Sequence, residues 1–162
     1  MKKQHTNHMI IIVVSFLVIF SFGSLHAGDK KDMSGWGSND PYNKFYNAGE
    51  VERLKVVVIE LQEVVPLPGM SPGVALIVKE GEEESFMVHL CPSWYKSQGR
   101  IGIKKGDKIS VRGCFAEING EDVFMAAKIK KKGNSFKVRL TSDGTPFWTM
   151  SPGQLQKELS DQ

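Results

Sequence analysis

The chain has 162 residues, 24% charged and 41% hydrophobic, which fits one folded domain with extensions and excludes a disordered polyelectrolyte. Its formal net charge is +3, and since Lys2 and Lys3 are the only charges in residues 1–27, loss of that segment leaves +1. Near-neutrality excludes a global attraction to nucleic acid or to an anionic membrane.

Residues 1–27 place Lys2 and Lys3 ahead of the uncharged apolar run from Met9 to Phe22, followed by Gly23-Ser24-Leu25-His26-Ala27. That is the layout of a secretory signal peptide cleaved after Ala27, and the run falls short of the ~20 residues of a bilayer span. The expected location is periplasmic or secreted, with no membrane span left after cleavage. The competing reading is an uncleaved N-terminal anchor. Residues 28–50 are rich in Gly, Asn and Asp and lack periodicity. They read as an N-terminal arm held down by Trp36, Tyr42, Phe45 and Tyr46.

The domain proper is expected over 51–148. Val57, Ile59 and Leu61 alternate with polar residues, which predicts a long first strand with a bulge near Val56 to Val58. Three prolines and two glycines in 66–73 exclude regular structure. They predict a semi-rigid loop that displays Leu67 and Met70. Val74 to Lys79 and Glu84 to Leu90 form the next hairpin around an acidic turn. Ser93 can cap a short helix carrying Trp94 and Tyr95, expected to plug one end of the domain and to end near Gly99. Strands follow around Ile109 to Phe115 and over Val123 to Lys130, joined by Asn119-Gly120, a strong hairpin signal. Ser135 to Leu140 is an extra C-terminal strand, and 149–162 a polar, frayed tail. The pattern predicts an all-β, five-stranded Greek-key OB-fold barrel with a helix between strands 3 and 4. An SH3-like barrel, which would lack that helix, is the alternative.

The runs YNKFYNAGEVE, GMSPG, VHLCPSWY, KKGDKISVRG, AAKIKKKG and DGTPFW, spread over residues 36–148, are similar to a family of small exported bacterial OB-fold proteins. Members carry labels such as DNA-binding protein or names linking them to magnetosome-associated proteins. The resemblance implies an OB-fold, export and no known catalytic set. Cys91 and Cys114 stand where the family pattern has small residues.

Two cysteines in an exported chain permit a Cys91–Cys114 disulfide, two buried thiols, or a reactive or metal-binding pair. Met70, Met87, His89 and Cys91 would supply soft ligands for a copper-type ion. Lys128, Lys130, Lys131, Lys132, Lys137 and Arg139 form a basic run that could hold single-stranded nucleic acid, although the third strand offers only Met87 and His89 outward in place of stacking rings. A single histidine after residue 27, with no HExxH, CxxC or phosphate-cradling loop, gives no basis for catalysis, and no cofactor is implied. The leading expectation is a non-enzymatic binding or adaptor module for an envelope protein or small ligand. Its expected contacts are Leu67, Met70, Met87, His89 and Asn119.

Overall fold

The computed structural model describes residues 33–82, 84–96 and 102–160. Residues 1–27, read above as a signal peptide, the first part of the arm and the predicted helix end near Gly99 lie outside the described residues. Six strands form one sheet: β1 (Glu52–Val64), β2 (Gly73–Lys79), β3 (Ser85–Pro92), β4 (Lys108–Ile118), β5 (Glu121–Lys131) and β6 (Asn134–Lys137). A one-turn helix α1 (Ser93–Lys96) follows β3, and α2 (Pro152–Ser160) closes the described chain. No helix of the described residues is long and apolar enough to cross a membrane.

The sheet returns on itself. β1 pairs with β2 and β4, β2 with β3, and β4 with β5, all antiparallel. A three-residue parallel pairing, Met87–His89 against Val123–Met125, then joins β3 to β5 and closes a ring. β1 can serve two neighbours because its register shifts between Val58 and Glu60, just past the predicted position. Glu52 to Val57 pair with β4, and from Val57 onward the strand pairs with β2 across the bulge. Val56, Val58, Leu76, Val78, Val88, Val111, Phe124 and Ile129 fill the interior. Each such side chain contributes ~1.5–3 kcal/mol on burial. Asn119 and Gly120 both take positive φ, 55° and 80°, as the tight β4–β5 turn requires.

Two C-terminal expectations need correction. The extra strand stops at Lys137, because the N–H groups of Val138 and Arg139 both donate to Ala127 O and turn the chain off the ladder. The tail is helical over Pro152–Ser160. Ser151 Oγ accepts from Gln154 N at 3.4 Å while Gln154 Oε1 accepts from Ser151 N at 2.9 Å, a reciprocal cap that satisfies two otherwise unpaired donors.

Candidate functional site

A second register shift divides the outer face of the ring. Between Arg112 and Gly113 the β4–β5 pairing skips Ala127. On one side of that bulge the outward residues are Arg112, Lys128 and Lys130; on the other they are Cys114 and Met125. Met125 is in turn level with His89 on β3, so Cys114, Met125 and His89 lie in one row across three strands. The two halves have opposite fates: the apolar half is covered and the basic half is open.

The cover is the N-terminal arm together with the segment after β6. Trp36 and Tyr42 are fully buried and Tyr46 nearly so, as expected for anchors, whereas Phe45 stays exposed. Trp36 Nε1 donates to Ser71 O at 2.8 Å, and Trp148 Nε1 donates to Trp36 O at 2.8 Å. Asn47 N donates to Cys114 Sγ at 3.3 Å. Gly73 permits this docking, because a Cβ there would lie 2.4 Å from the Trp36 ring. α1, expected to plug one end of the domain, joins this cover through Tyr95, buried and 5.4 Å from the Trp148 ring, while Trp94 is only half-buried.

Under the cover lies a polar cluster that sequence reasoning assigned elsewhere. His89 faces outward as expected but is only 3% exposed, because the arm seals the outer side of β3. Tyr42 Oη is 3.2 Å from His89 Nδ1, and Met87 Sδ is 3.3 Å from Nε2. Burial, reinforced by the nearby Arg139 charge, pushes the imidazole pKa down to about 4, so the ring is neutral near pH 7. A neutral ring receiving the Tyr42 proton at Nδ1 and donating from Nε2 is internally satisfied. Arg139 is also buried, which removes it from the proposed basic run. Its guanidinium lies 5.4 Å from the Tyr42 ring centre and 5.0 Å from that of Trp148, and donates to Asn43 Oδ1 and Gly144 O. Burial lowers the Arg139 pKa, though the guanidinium stays charged, and raises that of Tyr42 to about 12, which keeps the phenol neutral.

The soft-ligand set is only partly assembled. Met87 and His89 touch, but Met70 is buried over Gly35 beneath the arm. Its predicted display fails because loop 66–73 folds back onto Trp36, with Ser71 N donating to Ser34 O. Cys91 and Cys114 are both buried and form no disulfide, which among the arrangements the sequence permits corrects the disulfide and matches two buried thiols. They sit on different parts of the ring, Cys91 opposite Val74 on β2 and Cys114 opposite Met125 on β5. Among the described residues no group of three His, Cys, Asp or Glu side chains could hold a metal ion.

Two surfaces remain accessible. At the rim, Asn119 Nδ2 donates to Pro66 O at 3.0 Å, tying the β4–β5 turn to the β1–β2 loop. Leu67 is half-buried there, Val65 is 52% exposed, and Phe115, near the end of β4, is 40% exposed beside Phe86. The other surface is the basic half of the outer face. Arg53, Arg112, Lys128 and Lys137 stand level with one another on β1, β4, β5 and β6. The next row carries Lys55, Ser110, Lys130 and Ser135. Sequence reasoning found Lys128, Lys130 and Lys137 but missed Arg53, Lys55 and Arg112, which only strand pairing brings beside them. Lys131 instead pairs with Asp107 at 2.5 Å, and Lys132 sits apart in the β5–β6 turn.

Residues 50–136 match the MamS/MamX magnetosome protein family. No curated protein and no solved structure matches the chain.

Proposed function

We propose that this chain, which belongs to the MamS/MamX magnetosome protein family, is an exported, non-enzymatic OB-fold module that binds a protein or small ligand through its loops. The OB-fold reading is supported by the ring order β1–β2–β3–β5–β4 and by a helix directly after β3. Export is supported by the charge and apolar pattern of residues 1–27. OB-folds take ligands between the loop joining their first two strands and the loop joining their fourth and fifth. Here those loops are 65–72 and Asn119-Gly120.

The 3.0 Å bond from Asn119 to Pro66 O carries this reading, because it holds the two loops together as one surface. Val65, next to Pro66, adds exposed apolar area to it, the kind of side chain that interfaces bury at their centres. Crosslinking of the full chain in its native envelope tests the proposal. Val65→Asp should reduce recovery of the crosslinked partner while shifting Tm by no more than about 3 °C, since an exposed substitution costs little stability. Unchanged recovery would remove the rim from consideration.

A further inference from the structure

The basic half of the outer face is organised in a way that opposes folding. Like charges directly opposite on neighbouring strands destabilise a sheet. Here four cations, Arg53, Arg112, Lys128 and Lys137, stand side by side across four strands. Strand spacing places successive members about 4.8 Å apart. None of Arg53, Lys55, Arg112, Lys128 and Lys130 forms a salt bridge among the described residues; Lys137 donates to the Glu158 carbonyl and lies 6.0 Å from the Phe147 ring centre, with no carboxylate partner. Lys128 shows the cost, since burial and then repulsion from Lys130, Lys137, Arg112 and Arg53 lower its pKa. The surface is also concave. Arg53, Ser110, Arg112, Lys128 and Lys130 line one depression, and Lys55 and Ser110 border a second of about 330 Å³ against the paired β1 and β4.

We propose that this face is a polyanion site that takes an extended, carboxylate-rich polypeptide segment, independently of the rim. Outward residues two apart on one strand, such as Arg53 and Lys55, are separated by roughly 6.8 Å, the repeat of same-side side chains in any extended chain. An acidic segment lying along the strands therefore meets both rows in step. Arg53 and Arg112, opposite each other, can each hold a carboxylate with two parallel N–H donors. No aromatic ring lines the depression, so a single-stranded nucleic acid would find phosphate contacts there but no stacking platform. Among the described residues the large exposed apolar side chains are Phe45, Ile59, Val65, Phe115 and Leu159, none of them in either row, so the two rows offer no such group to insert into a lipid surface.

Binding of labelled poly-L-glutamate to the full chain at low ionic strength, read by fluorescence anisotropy, tests this. The protein should bind poly-L-glutamate more tightly than a mixed-sequence single-stranded oligonucleotide of matched charge. The double variant Arg112→Gln, Lys128→Gln should lose about tenfold or more in affinity. Its Tm should hold or rise as the repulsion is relieved, which separates lost binding from lost folding. Lys132→Gln, outside the two rows, should bind as the parent does. No binding at low salt, an undiminished affinity in the double variant, or preference for the oligonucleotide each overturns the proposal. Because Val65 lies outside both rows, failure here leaves the rim reading standing, and failure at the rim leaves this one standing.

Discussion

His89 is the residue whose chemistry depends most on its surroundings. Its pKa is about 4 in the folded protein against about 6.5 in an unfolded chain. Between those values the unfolded state binds the extra proton, so acid favours unfolding. The contribution is fully present above about pH 6.5, declines as pH falls, and is exhausted near pH 4. The full span corresponds to roughly 3 kcal/mol. Urea midpoints measured from about pH 7 down to pH 4 should fall accordingly, and His89→Gln, which keeps an acceptor for Tyr42, should flatten that slope. A histidine between Met87 and Leu90 in an alternating strand reads as outward-facing from sequence, and its parity is correct. Nothing in that parity says that Tyr42, 47 positions away, will lie over it.

Among the elements, the arm departs furthest from a local reading. Its composition gives no periodic signal, yet Trp36 and Tyr42 are as buried as any strand residue. The docking depends on the flat patch at Gly73, where Trp36 rests on backbone beside Cys91 O. Gly73→Ala should therefore lift the arm while the ring of strands persists. Hydrogen exchange should show lost protection at Met70 and Ser71, whose N–H groups bond within this layer, with β4 and β5 unchanged. Equal loss throughout would mean that the arm and ring unfold as one unit. Other elements were more legible. Asn119-Gly120 announced its hairpin, and the prolines and glycines of 66–73 announced a loop. The Ser151-Pro152-Gly153-Gln154 cap of α2 was also present in the sequence, overlooked because the residues after it are polar and carry no apolar stripe.

At the scale of the whole molecule, a small net charge conceals a strongly uneven layout. The cations of β1, β4, β5 and β6 gather on one outer face, while Glu80, Glu82 and Glu84 cluster at the β2–β3 turn. Raising ionic strength from about 0.01 M to about 0.15 M shortens the screening length from about 30 Å to about 8 Å. Repulsion within the rows then weakens, and Tm should rise by a few degrees, with Lys128→Gln blunting the rise. A fall in Tm would show that favourable long-range attractions outweigh the repulsion. Strand-by-strand reading could not foresee this surface. Charges from 53 and 112 become neighbours only when β1 pairs with β4.

Taken alone, the amino-acid order placed the first five strands, the turns between them and the side chains that alternate toward an interior, but not the end of the sixth strand. Those are local consequences of steric preference and of a two-residue repeat. The closed tertiary arrangement decided which outward positions stay wet and which are sealed. Alternation and the bulge at Ala127 together put Cys114, Met125, Arg112 and Lys128 on one outer face. Only the path of the arm and of the segment after β6 covers the first two with aromatic rings and leaves the others to water, because burial of an outward residue is set by what distant chain packs over it.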